Sequence, residues 1–165
     1  MENELLRMGY PVRVIEDCLN GRRTAADDPF KPGRNGLIGL EQRMEINSPL
    51  ALVMIMLGTN DFQSMHSFTA RQSAQGLGAL VEAIRRAPIE PGMTTPDILL
   101  IAPPTIRAAG GPLAEKFANA ETKAEGLSEA IREIARQPAM WMACIWTKIS
   151  TAAWVLPWLA WQPHY

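Results

Sequence analysis

The chain has 165 residues, enough for one ordinary domain with a real core, and 47% hydrophobic against 20% charged residues reads as globular rather than disordered. Sixteen basic residues against 17 acidic ones give no electrostatic case for nucleic acid or an anionic membrane. Two cysteines, Cys18 and Cys144, cannot build a disulfide framework, the opening Met1-Glu2-Asn3-Glu4 has no apolar leader region, and no uncharged apolar run reaches spanning length. These features predict a cytoplasmic α/β domain.

In chain order, Leu5, Leu6 and Met8 predict a helix end stopped by Gly9, followed by a short β-branched strand, Val12-Arg13-Val14-Ile15. Cys18 reads as a small buried hydrophobe. A polar loop spans Asn20 to Asn35, and Leu37, Leu40 and Met44 then share a helix face. Leu50 to Leu57 is a nearly continuous apolar run, as in a strand covered on both faces, with Met54 and Met56 as core filling.

Thr69-Ala70-Arg71-Gln72 has capping-box spacing, and Ala70, Ala74, Leu77, Val81 and Ile84 recur at helical period. Asp97 to Ala102 is a second apolar strand. Pro112 opens a predicted long helix with Leu113, Phe117, Ala120, Ala124, Leu127, Ile131 and Ile134 on one stripe. The alternation implies a parallel sheet with helices on both faces, in which function gathers at the carboxyl ends of strands.

Two loops occupy such ends. One reads Leu19-Asn20-Gly21-Arg22-Arg23-Thr24, with Asp27-Asp28-Pro29 and Gly33-Arg34-Asn35-Gly36-Leu37 behind it; the other reads Gly58-Thr59-Asn60-Asp61. A glycine N–H facing an asparagine amide supplies two converging donors for a carbonyl that becomes tetrahedral. Gly21 is equally readable as a turn glycine, and Asn60-Asp61 as a cap. Asp27-Asp28 suits a turn better than a metal pair, and Ser64-x-His66 is no catalytic pair on spacing alone.

Taken together in order, these loops resemble the SGNH (GDSL-like) hydrolase family, most of all its bacterial arylesterase/acyltransferase branch. The resemblance covers roughly residues 1–136 and implies an incomplete three-layer α/β/α, flavodoxin-like fold. It implies an oxyanion hole of Gly21 N–H and the Asn60 amide, supported by Asn20, Arg22, Gly58, Thr59 and Asp61. Small acyl esters are the implied substrates, with no cofactor and no metal, and homo-oligomers occur in that branch. Arg23 departs from the Thr usual there.

The chemistry of that family also needs a Ser from a Gly-Asp-Ser motif and a His from Asp-x-x-His. The chain has no Gly-Asp-Ser, and neither His66 nor His164 follows an Asp by three residues. The expectation is a domain that begins after the nucleophile motif and is inactive as written. All five tryptophans fall in residues 141–165, where Lys148 is the one charged residue. Met140 to Thr147 largely fixes its own codons: two nucleotides on, they read Val-Asp-Gly-(Leu/Met/Val)-(His/Tyr)-(Leu/Met)-Asp. Residues 137–165 therefore read as an out-of-frame catalytic-His segment, or else as a genuine Trp-rich binding tail. Two other functions stay open: a non-catalytic binding or assembly module, and a metal-dependent enzyme using Asp27, Asp28 or Asp61.

Overall fold

The computed structural model describes residues 1–136, together with the backbone of Met140–Cys144. Three strands, β1 (Leu52–Ile55), β2 (Asp97–Ala102) and β3 (Met140–Cys144), form a parallel sheet in the order β1-β2-β3. Val53 pairs with Ile98, and Ile98 in turn with Met140. The helices are α1 (Glu2–Arg7), α2 (Leu40–Asn47), α3 (Ala70–Arg86), α4 (Ala120–Lys123) and α5 (Leu127–Ile134).

The α/β class and parallel sheet agree with expectation, while the strand membership differs. Val12–Ile15 is not a strand. Its Val14 N–H donates to the Glu2 carboxylate and Val12 N–H to the Tyr10 carbonyl, so β-branched residues alone do not make a strand without a neighbouring ladder. The third strand comes instead from Met140–Cys144, inside the segment read as out of frame. The rest of that segment, with Trp146, Trp154, Trp158, Trp161 and His164, lies outside the described residues.

Alternate residues of β2 explain the layer above it. Ile98, Leu100 and Ala102 are fully buried and join Leu77, Val81 and Ile84 of α3 and Leu127 and Ile131 of α5 in one cluster. Each large aliphatic side chain so buried contributes about 1.5–3 kcal/mol. The α3 stripe is the predicted one, and its capping box forms, with Thr69 Oγ1 accepting from Gln72 N–H. On β1, Met54 is 40% exposed and Met56, just beyond it, 52%, so neither fills a core.

The predicted long helix after Pro112 is not continuous. Asn119 (φ 61°) and Gly126 (φ 79°) adopt left-handed backbone and divide it into a short 3-10 turn, α4 and α5. Leu113 is consequently half exposed, whereas Ala120, Leu127 and Ile131 keep their places in the core. Cys18 is exposed, not buried, because the segment around it packs on no strand.

Candidate functional site

The loop that follows α1 and the turn that follows β1 meet over the N-terminal half of α3. Gly58, buried at φ 124° three residues beyond β1, starts a 3-10 turn over Thr59–Phe62 that turns Asp61 inward. Asp61 is completely buried. Its Oδ1 accepts from Thr24 N–H at 3.0 Å, and its Oδ2 accepts from Thr24 Oγ1 at 2.7 Å and Ser73 Oγ at 2.6 Å. One carboxylate thus ties three segments together, with its charge spread over three donors.

The fit of Thr24 depends on two glycines. A Cβ at Gly76 would stand 2.2 Å from Thr24 Oγ1, and one at Gly36 would stand 2.6 Å from the Thr24 carbonyl oxygen. That carbonyl accepts from Gly36 N–H at 3.0 Å, while Arg23 N–H donates to the Arg34 carbonyl at 2.8 Å. The Gly33–Gly36 segment therefore runs beside the first loop as a short parallel bridge.

Asn60 sits next to Asp61, half-buried, and faces the same loop. Its Nδ2 donates to the Arg22 carbonyl at 3.2 Å, and its Oδ1 accepts from Gln63 Nε2 at 3.0 Å. Gly21 adopts φ 83°, a conformation that suits glycine, and its N–H has no acceptor among the described residues. Arg22 is fixed by a fork of two bonds to the Asp17 carboxylate at 2.9 and 3.0 Å, with Arg43 on the same carboxylate. The Arg22 guanidinium, foremost among the causes, holds the Asp17 carboxyl below its ordinary 3.8. Thr59 is half-buried and Asn20 exposed in the turn before Gly21.

Arg23 is fully buried beneath the loop. Its guanidinium reaches the Asp28 carboxylate at 3.1 Å, the Asp27 carbonyl at 2.9 Å and Gln63 Oε1 at 3.1 Å. Asp28 also caps its own turn, accepting from Phe30 and Lys31 N–H. Burial would raise the Asp28 carboxyl, but the Phe30 N–H, the Arg23 charge and the Lys31 N–H together hold it below 3.8. No group of three or more His, Cys, Asp or Glu converges as a metal site among the described residues.

His66 is half-buried with no hydrogen-bond partner at Nε2. Burial, foremost, and the nearby Arg23 charge lower its pKa below 6.5. It borders an open groove of about 920 Å³ between residues 64–71 and 118–130, which neither Gly21 nor Asn60 lines. Lys123 straps the groove wall, donating to the Gln63 and His66 carbonyls.

The structure therefore brings Gly21, Arg22, Gly58, Asn60 and Asp61 together and leaves Asn20 at the margin. Sequence reasoning missed Gln63, Ser73 and Gly76. The signal for the last two was a small polar run on an otherwise aliphatic helix face; for Gln63 there was none.

The profile of the GDSL-like Lipase/Acylhydrolase family matches residues 3–151. A carbohydrate acetylesterase from Sinorhizobium meliloti superposes with TM-score 0.76 at 30% identity, over 83% of this chain and 64% of that one. An aryl esterase of M. smegmatis superposes with TM-score 0.78 at 28% identity, over 84% of this chain and 66% of that one. The chain thus spans just under two thirds of the length of these two structures. No curated protein matches it, and no helix among the described residues is long and apolar enough to cross a membrane. Matched over most of its length and carrying the Gly-Thr-Asn-Asp turn on the expected strand end, the chain belongs to the GDSL-like lipase/acylhydrolase family.

Proposed function

We propose that this chain carries the oxyanion-stabilising part of a serine-esterase site for small acyl esters, with Gly21 N–H and Asn60 Nδ2 as the two donors. The observation that carries this reading is the Asn60 amide held against the Arg22 carbonyl, one residue from a Gly21 N–H that lacks an acceptor among the described residues. An ester carbonyl oxygen placed between them would gain two hydrogen bonds as it becomes tetrahedral, and losing one such donor costs about a hundred- to a thousandfold in rate. Family membership and the acetylesterase and aryl esterase relatives support acyl esters as the substrate class.

An oxyanion hole without a nucleophile and base does little chemistry. The chain as translated has no Gly-Asp-Ser and no Asp-x-x-His, and we propose that it does not turn over esters by itself. Purified chain incubated with p-nitrophenyl acetate should release nitrophenol at the buffer rate. Turnover above that rate, abolished by Asn60→Ala, would overturn this reading of the chain.

We also propose that residues 137–165 are read out of frame. The single-codon residues Met140, Trp141, Met142 and Trp146, with the fixed first two bases of the Ala143 and Thr147 codons, support this, because together they force Val, Asp, Gly and a closing Asp in the frame two nucleotides on. Resequencing the locus tests it. An intact Asp-Gly-x-His reading frame is the expected result, and a confirmed frame as translated would make the Trp-rich tail genuine.

A further inference from the structure

We infer that Gln63 is a positioning residue for the Asn60 amide, with its own orientation imposed by the buried guanidinium of Arg23. The inference rests on the proposed role of Asn60 as an oxyanion donor. A carboxamide has two faces of similar shape and opposite polarity, and which one is presented is decided by its hydrogen-bond partners. An amide that presents oxygen to the substrate oxygen repels it; only the NH2 face stabilises it.

The chain of bonds leaves one self-consistent arrangement. Arg23 can only donate, so the atom of Gln63 that faces it at 3.1 Å must be Oε1. That turns Gln63 Nε2 to Asn60, 3.0 Å away, which must therefore present Oδ1. Asn60 Nδ2 is then directed at the Arg22 carbonyl, 3.2 Å away, with its second hydrogen left for a ligand. Gln63 is 1% exposed and Arg23 fully buried, so water does not compete at either joint. Arg23 is in turn locked by Asp28 and the Asp27 carbonyl. A permanently charged group two joints away thus fixes the sign of the dipole at the site.

The decisive variant is Gln63→Glu. It keeps size and a charge-assisted bond to Arg23, but replaces the donor facing Asn60 by an acceptor. A bond from Asn60 Nδ2 to that carboxylate outweighs its neutral bond to the Arg22 carbonyl, so the amide should turn over. The readout is side-chain amide NMR of the 165-residue chain labelled at Asn and Gln, which needs no turnover. In the unmutated chain, the Asn60 amide protons should show contacts to Arg22, and the Gln63 amide protons should exchange slowly and couple to Asn60. Gln63→Glu should lose the Asn60-to-Arg22 contacts while the backbone amide spectrum stays in place.

Retention of those contacts in a folded Gln63→Glu chain overturns the inference. If that variant does not fold, the unmutated spectrum decides: a fast-exchanging Gln63 amide with no coupling to Asn60 overturns the inference equally. Failure of the esterase reading would leave the amide orientation unchanged, so the two outcomes are separable.

Discussion

Thr24 and Asp61, 37 positions apart, are joined twice, through the Thr24 backbone N–H and through its hydroxyl. The loop bearing Gly21 and the turn bearing Asn60 are therefore registered against each other by a buried carboxylate that itself faces no ligand. Asp61 builds the site and Asn60 presents it.

Replacing Asp61 by Ala strands the Thr24 N–H and two hydroxyls in a dry environment, at a cost of about 1–3 kcal/mol for a buried unsatisfied donor, and more with each further one. Chemical denaturation should show that loss. Ser73→Ala, which removes one donor of three, should cost less than Asp61→Ala.

Gly76→Ala should destabilise the fold by about 1–3 kcal/mol, the usual cost of overpacking, although Ala is the better helix former. The reason is the Thr24 hydroxyl at 2.2 Å from the new methyl. Thr24→Gly removes both the hydroxyl and the Cβ at 2.7 Å, so in thermal melting Gly76→Ala should cost less in a Thr24→Gly background than in the unmutated chain.

Removing Asp28 while Arg23 stays buried should be among the most damaging changes, about 3–5 kcal/mol, because the guanidinium keeps its charge and loses its carboxylate, with only the neutral Asp27 carbonyl and Gln63 Oε1 left as acceptors. Replacing Arg23 and Asp28 together by apolar residues should restore much of the stability. A double-mutant cycle measures the difference.

Stability should decline with acidity in two stages. His66 titrates in the folded chain below its ordinary 6.5, so the unfolded chain takes up that proton first and stability falls as pH drops below 6.5. Asp28 titrates below 3.8, so its contribution is intact above that value and is lost as pH falls through the folded pKa. Melting temperature against pH should lose the upper stage in His66→Phe, while Asp28→Asn should shrink the lower stage to the part that Asp17 contributes.

Local signals carried much of the fold. The Thr69–Gln72 cap and the α3 stripe depend on residues within one helix, and both formed as read. The Gly58–Asp61 turn was legible because a strand end, a glycine and two short polar residues sit together. What failed depended on partners far away in the chain. Val12–Ile15 has strand residues and no ladder, and Met54 and Met56 are core residue types that stay exposed. The Pro112 stripe was periodic through Asn119 and Gly126, where the backbone turns left-handed without breaking the pattern of apolar residues. The Arg23–Gln63–Asn60 chain spans 40 residues between its first two members, and no spacing rule reaches that far.

Ser73, Gly76 and Leu80 lie three and four residues apart on α3, and they meet Asp61, Thr24 and the space over Gly36 in turn. A single helical stripe is thus the floor on which both loops rest. An inserted or deleted residue between them would rotate everything beyond it by about 100°. It would swing the notch at Gly76 away from Thr24 and bring a bulky neighbour in its place. Length change should therefore be forbidden in the first half of α3 and tolerated in the exposed Glu90–Thr95 connection. A scan of single-residue insertions along the gene would show the boundary as an abrupt loss of folded protein.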